Sequence, residues 1–295
     1  TIEERGHRER GRVRINTGGT SGQPLEFYVD RRAFARELAH MHVIWERLGY
    51  RTTDLKLTFR GRARGERILA YNAVHNEFLV NPTRSLTEIV AAVEHLTKCR
   101  PIRFLHGYPS LVHEFAVECL ERRPVLADKL SASLKGILLG SEYPAPQYRE
   151  AIHAAFRCPT ISWYGHSEMA ILAPEVEPGV YRPFPSYGFT EAVPDRSGAF
   201  RLVGTSYDNT ASPFIRYDTG DLVHAESGLL GLRSFRIEQG RIGDFVVLGD
   251  GRRIGLTALV FGRHHRLFAW ARFVQIRQER PGHATVLVTV APGAP

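Results

Sequence analysis

"IRFLHGYPSLVHEFAVECLERR" (102–123), "LKGILLGSEYPAPQYREAIHAAF" (134–156) and "TISWYGHSE" (160–168) repeat one pattern. Each opens with a short apolar run bounded by turn residues, and in the first two an apolar-periodic helix follows. Strand, helix, strand, helix, strand predicts a parallel sheet with crossover helices. In all three a polar motif ("HGYPS", "GSEYPAP", "YGHSE") falls just past the strand's C-terminal end. The three motifs should therefore gather at one edge, where open α/β sheets bind ligands. Ser110 is placed to cap the helix that follows the first strand.

Upstream, "SLTEIVAAVEHLTKC" (85–99) predicts a second kind of start: a capping box made by Ser85 and Glu88. Leu86, Ile89, Val90, Val93 and Leu96 supply that helix's buried face. In "RRAFARELAHMHVIWERLGY" (31–50), Phe34, Leu38, Met41, Trp45 and Leu48 alternate at spacings of four and three, the stripe of an amphipathic helix. Before it, "INTGGTSGQP" (15–24) is rich in glycine and hydroxyl groups. It lacks the lysine of a P-loop: Gln23 and Pro24 follow Gly22, and the next lysine is Lys56. The flanking "RVRIN" and "LEFYVD", with Leu25, Phe27 and Val29 on one face, make it the tip of a strand hairpin. Its backbone N–H groups and Thr17, Thr20 and Ser21 could form an anion nest. The same residues also suit an ordinary Gly-rich hairpin loop.

From about Val180 the texture becomes short alternating segments such as "AFRLVGT" and "FIRYDTGDLVHA", which read as antiparallel β structure. "FAWARFVQIRQERPGHATVLVTV" (268–290) reads as two strands around a Pro281-Gly282 turn. The fold class is α/β, with a parallel sheet and flanking helices, a small antiparallel β subdomain and a further C-terminal segment. The expected domains are 1–179, 180–242 and 243–295.

Composition narrows the function classes. Among 295 residues, 43% are hydrophobic and 24% charged, the balance of a globular chain with a large core. No apolar run reaches the roughly 18 residues of a membrane helix, and the charged first stretch lacks the apolar segment of a signal peptide. Cys99, Cys119 and Cys158 are isolated, which favours a reducing cytoplasm over a disulfide framework. The net charge of +8 raises nucleic acid as a partner, but the arginines are diffuse and no basic-aromatic motif accompanies them. Nucleic-acid binding is therefore not the expected role.

Taken together and in order, "TGGTSGQP", "GSEYP", "YGHSE", "RYDTGD" and "GRIGDF" resemble the adenylate-forming (acyl-CoA synthetase, ANL) superfamily. "HGYPSLV", "YGHSEMAILA", "GTSYDNTASPFIRYDTGD" and "LGDGRRI" narrow the resemblance to the phenylacetate–CoA ligase branch and its capsule-biosynthesis CapK group. The resemblance runs from about Arg14 to Ile254. It implies the large N-terminal domain of such an enzyme with the start of a C-terminal α+β domain. The implied reaction is ATP-dependent activation of a small carboxylic acid, with transfer to CoA or another acceptor.

The resemblance also implies site roles, each with a plainer alternative. Thr17, Gly18, Gly19, Thr20, Ser21 and Gly22 match the phosphate loop. Glu168 matches the Mg2+ ligand; otherwise it is a strand-end acid capping a helix. Asp221 matches the acceptor of both ribose hydroxyls; otherwise it is a turn aspartate after Gly220. Arg241 matches an arginine on ribose and phosphate, or is a surface arginine. Gly140, Ser141, Glu142, Tyr164 and Gly165 match the adenine slot, where Tyr164 could stack on the base or simply sit in the core, and His166 and Ser167 beside them count among the cofactor-binding residues. His106, Gly107, Tyr108 and Pro109, with His166, match the acyl-side walls. The catalytic set is Thr17, Thr20, Glu168 and Arg241; the cofactors are ATP and Mg2+, with CoA as one candidate acceptor; a homodimer is one expected assembly. A degenerate nucleotide-binding partner protein is the alternative function.

Departures from the family pattern are visible too. Relatives carry a catalytic lysine in a mobile C-terminal domain, whereas no lysine follows Lys135 here, so part of the N-terminus and most of that domain are expected to be missing. Relatives often place a zinc-binding cysteine cluster after the TGD motif; "LVHAESGLLGLRSF" has no cysteine, and no such metal is expected. The hinge position falls on Gly243 or Asp244.

Overall fold

The computed structural model describes residues 11–16, 25–60, 66–82, 84–196, 198–229, 231–239, 245–249, 251, 253–255 and 271–290. Along the chain, strands β1 (Arg12–Asn16) and β2 (Glu26–Asp30) precede helix α1 (Arg31–Glu46), then β3 (Lys56–Phe59), β4 (Leu69–Asn72) and β5 (Glu77–Val80). Helix α2 (Leu86–Cys99), β6 (Phe104–Gly107), α3 (Pro109–Arg122), α4 (Pro124–Ser133), β7 (Gly136–Leu139) and α5 (Pro146–Phe156) follow. Next come β8 (Thr160–Gly165), β9 (Leu172–Glu177), β10 (Val180–Tyr181), β11 (Gly188–Pro194) and β12 (Phe200–Ser206). The remainder is β13 (Tyr217–Gly228), β14 (Gly231–Gln239), β15 (Phe245–Val247), β16 (Arg253–Gly255), β17 (Ala271–Arg280) and β18 (His283–Val290).

Contacts divide the chain into two units, Thr1–Tyr50 with Ile161–Gly243, and Arg51–Thr160 with Asp244–Pro295. In the second, the strand order is β7-β6-β3-β5-β4, with β6 parallel to both β7 and β3. Leu57, Phe59, Leu105, Ile137 and Leu139 alternate along these strands and join residues of α2–α5, such as Val93, Phe115, Leu130 and Phe156, in one core. The intervening positions are also buried but partly polar: Lys56, Thr58 and His106 are at most 4% exposed. A parallel strand buried on both faces is usually continuous in apolar residues, so this polar row is unusual. Glu77 answers it, accepting from Thr58 Oγ1 (2.7 Å) and Asn72 Nδ2 (2.9 Å). Lys56 Nζ donates to the His75 carbonyl (2.8 Å).

The capping box forms as expected: the Glu88 amide donates to Ser85 Oγ and the Ser85 amide to Glu88 Oε2. Ser110 does not cap α3. Pro109 occupies the first helical position, where its missing N–H costs nothing, so Tyr108 becomes the N-cap. Helix α4, begun the same way by Pro124, was not marked by the sequence reading. The strand pair around residues 281–282 is present as β17 and β18, antiparallel.

In the other unit the sheet runs β11-β12-β13-β14-β10-β9-β8, antiparallel wherever its registers are defined, as the alternating texture predicts. β1 and β2 pair antiparallel, with Asn16 opposite Glu26, so "TGGTSGQP" joins the ends of a hairpin. Phe27 and Val29 are buried, but Leu25, next to the connecting segment, is exposed. Helix α1 buries Ala33, Met41, Ile44 and Trp45. Phe34 and Leu38 are exposed instead, so the predicted stripe holds only in the second half of the helix. Trp45 packs edge-on to Tyr50 and Trp163. Among the described residues no helix is long and apolar enough to cross a membrane.

Candidate active site

The predicted site residues fall in both units. In the unit built on β8–β14, β8 carries Tyr164 and ends at Gly165. The chain then turns tightly, the Met169 amide donating to the His166 carbonyl (3.1 Å). Met169 sits at φ +54, a left-handed value that costs a side-chain-bearing residue energy. The turn aims Glu168 inward, to 2% exposure. His166 Nδ1 donates to its Oε2 (3.1 Å) and the Tyr217 hydroxyl to its Oε1 (2.5 Å). Burial alone pushes this carboxyl up, but the hydrogen bond and charge of His166 and the Tyr217 hydroxyl outweigh it and hold the group at about 2. The ring of Tyr217 lies stacked on that of His166, centroids 5.6 Å apart.

Asp221 reaches the same region by a bulge. On β12, Arg201 pairs with Leu222 and Val203 with Asp218, so Thr219, Gly220 and Asp221 all face the single residue Leu202. Gly220 adopts φ +79, and Thr219 Oγ1 donates to the Leu202 carbonyl (2.9 Å) while accepting the Asp221 amide (3.2 Å). The bulge presents the Asp221 carboxylate to the Tyr164 hydroxyl at 2.6 Å. Tyr164 also packs edge-on to Phe235 (5.3 Å). Ser167 and Gly165 are exposed beside this cluster.

In the unit built on β3–β7, "HGYPS" and "GSEYP" lie at one sheet edge, since Gly107 and Leu139 are register partners. The Gly140 amide donates to the Gly107 carbonyl (3.1 Å) and the Tyr108 amide to the Phe59 carbonyl (3.2 Å). Ser141 is left-handed at φ +70. Glu142 Oε2 accepts the Ser110 amide at the start of α3 (3.2 Å), and burial raises its carboxyl, with Ser110 acting in the opposite direction. His106 is 4% exposed; burial first, then the charges of Arg60, Lys56 and His75, hold its pKa well below the usual range and keep the ring neutral. Pro109 is buried and Tyr108 partly so. The predicted Thr17, Gly18, Gly19, Thr20, Ser21, Gly22, Arg241, Gly243 and Asp244 lie outside the described residues.

No family model matches this chain. Protein CapK of Staphylococcus aureus is 24% identical over 226 residues, covering 74% of this chain and 49% of that protein. A 2-hydroxyisobutyryl-CoA ligase, solved in the postadenylation state with an acyl-AMP, superposes with a TM-score of 0.57 at 18% identity, over 95% of this chain and 62% of that one. A malonyl-CoA ligase, solved with methylmalonyl-CoA and AMP, gives a TM-score of 0.54 at 22% identity, over 96% and 64%. The chain has the fold of the adenylate-forming acyl-CoA ligases. It spans about half the length of the curated relative.

Within that fold, the donor set can be tested against the expected Mg2+. No group of three or more His, Cys, Asp or Glu able to hold a metal occurs among the described residues. Glu168 is a single ionised carboxylate whose two donors take one lone pair on each oxygen, leaving others available. That suits a hard cation that keeps its waters and arrives with phosphates, rather than a resident ion in a protein cage. Tyr217 was missed by the sequence reading although it lies in "RYDTGD"; its partner is 49 residues away, and no local pattern marks it.

Proposed function

We propose that this chain binds ATP and activates a small carboxylic acid as its acyl-adenylate. The observation that carries this reading is the paired arrangement of Glu168, held ionised by His166 and Tyr217, and Asp221, presented by a bulge, in a fold of this kind. An acid oxygen attacks the α-phosphorus, the bond to the bridging oxygen breaks, and pyrophosphate leaves with the electron pair. The thiol of CoA, or another acceptor's nucleophile, then gives up its proton and attacks the acyl carbon, and AMP leaves with the electron pair, as in a phenylacetate–CoA ligase or a CapK-like enzyme of polysaccharide or secondary-metabolite assembly. The adenylation step needs no general base, because the acid is already ionised at neutral pH.

The roles follow from chemistry. Asp221 would accept both ribose hydroxyls on the lone pairs that the Tyr164 hydroxyl leaves available. Tyr164 and Gly165 in one unit, and Gly140, Ser141 and Glu142 in the other, are each proposed as adenine contacts. Thr17 to Gly22 would hold the outer phosphates by backbone N–H groups, and Arg241 would bind ribose and phosphate. Glu168 would hold Mg2+, which when bound offsets phosphate charge. The neutral His106 with Gly107, Tyr108 and Pro109 would line the acyl pocket as contact surface. His166 Nε2, buried with no partner among the described residues, offers a further polar contact.

One observation favours a second reading. Both oxygens of Glu168 and one of Asp221 already have protein partners, as they would in a nucleotide-binding partner protein that no longer turns over. Acid-dependent ATP–pyrophosphate exchange across a panel of aryl, aliphatic and hydroxy acids separates the two. Exchange with any acid that is lost in Asp221→Ala supports the ligase. ATP binding without exchange for any acid supports the partner protein.

A further inference from the structure

Strand β2 has one edge on β1 and another that a third strand would normally pair. At Tyr28 that second edge is met by side chains. The Tyr28 amide donates to Ser212 Oγ (3.1 Å), and the Tyr28 carbonyl accepts from Asn209 Nδ2 (3.0 Å). Asn209 and Ser212 are 2% and 0% exposed, and the Ser212 amide reaches back to Asn209 Oδ1 (3.5 Å). Two residues on, Asp30 Oδ2 accepts the amides of Thr210 (3.0 Å) and Ala211 (2.9 Å) and the Thr210 hydroxyl (2.7 Å). The segment "DNTAS" (208–212) thus imitates a neighbouring strand without being one.

The same segment leads to the Glu168 cluster. Phe27 of β2 packs edge-on to Phe214 (5.1 Å), and Phe214 to Tyr217 (5.1 Å), whose hydroxyl holds Glu168. Arg216 between them is left-handed at φ +52, with its amide held by Thr205 Oγ1 (2.9 Å). A single short stretch therefore grips the hairpin at one end and the carboxylate at the other.

We propose that Asn209 and Ser212 are positioning residues that fix the hairpin bearing the Gly-rich loop relative to Glu168. This rests on the reading above, in which the loop holds the outer phosphates of ATP and Glu168 their cation. The consequence is specific: loosening the clamp should weaken what depends on the triphosphate and spare what depends on adenosine.

The test uses Asn209→Asp, which keeps the volume and the Ser212 contact but loses the donor to Tyr28, and Ser212→Ala. Thr97→Val, a buried hydroxyl loss on α2, serves as control, with Ser212→Thr as the conservative rescue. Hydrogen exchange read by mass spectrometry should show faster exchange in the β2 peptide of both clamp variants, and parent-like exchange there in Thr97→Val. Titrations should show MgATP weakened about tenfold in the clamp variants, AMP unchanged, and MgATP affinity recovered in Ser212→Thr. Unchanged β2 exchange, or equal losses for ATP and AMP, overturns the clamp. If the parent binds neither nucleotide, the functional reading fails, while β2 exchange still decides whether the clamp exists.

Discussion

Glu168 is nearly out of water yet ionised, and its two donors are what make that possible. Holding the carboxyl at about 2 instead of 4.5 is worth about 3 kcal/mol. The folded chain stays ionised where the unfolded chain would take up a proton, so this contribution is full above about pH 4.5 and is lost as pH falls through about 2. Glu168→Gln should therefore lower the melting temperature at pH 7, and its deficit relative to the parent should shrink progressively between pH 5 and pH 2.5. A deficit independent of pH would show that packing, not charge, is what the carboxylate supplies. On the proposed reading, in which Asp221 accepts two ribose hydroxyls, Asp221→Ala should weaken ATP by about 1.5–3 kcal/mol; thermal-shift titration measures it. Tyr164→Phe should cost about 1 kcal/mol of stability, read from the urea midpoint, through loss of one hydrogen bond to that carboxylate. At this scale the sequence nominates Glu168 and Asp221 because each lies in a contiguous motif, and their roles stay proposals. It was not legible where a partner is far along the chain: nothing near Tyr217, Asn209 or Ser212 indicates which distant group each one serves.

Strand ends, turns and caps decide where those residues point. Gly107 closes β6 at φ +152, and a Cβ there would lie 2.2 Å from the Phe59 carbonyl oxygen on the adjacent strand. Backbone cannot move aside as a side-chain tip can. Gly107→Ala should cost roughly 2–6 kcal/mol, summing overpacking and backbone strain, as a fall in the urea midpoint. A fall below 1 kcal/mol would mean that β3 and β6 can separate at this end. By contrast Ser85→Ala removes one exposed cap and should cost about 1 kcal/mol. The cap was readable because it depends only on Ser85 and Glu88, three positions apart. The first half of α1 was not, because a 3.6-residue period places Phe34 and Leu38 on a common face without saying whether anything covers it. Helix α4 was hidden for a related reason: "RRPVLADKL" offers a proline start but a short apolar stripe of Leu126, Ala127 and Leu130, easily taken for a connection.

Over the whole molecule, the chain enters the β3–β7 unit at residue 51 and leaves it at residue 160, so each unit is assembled from separated stretches. Texture along a sequence changes near Val180, although antiparallel pairing already begins with β8 and β9, and it carries no mark of which distant stretches share a core. The cysteines offer a way to measure that shared core. The chain has three, of which Cys99 is exposed while Cys119 and Cys158 are buried. Burial pushes the Cys119 thiol up to about 12 and the Cys158 thiol up to about 11. The thiolate is the reactive form, so at pH 8 both are chemically silent as well as shielded. A thiol reagent should label one equivalent rapidly in the native chain and the other two only as the unit opens. Cys119 lies on α3 and Cys158 just past α5, and both belong to the cluster that joins those helices to β3, β6 and β7. If that cluster opens as one cooperative body, the two slow thiols should label with the same rate and the same dependence on urea. Mass spectrometry of the labelled peptides tells them apart. Faster labelling of Cys158 at zero urea, with Cys119 still protected, would show instead that the α5 end opens locally and that the core is not a single cooperative unit.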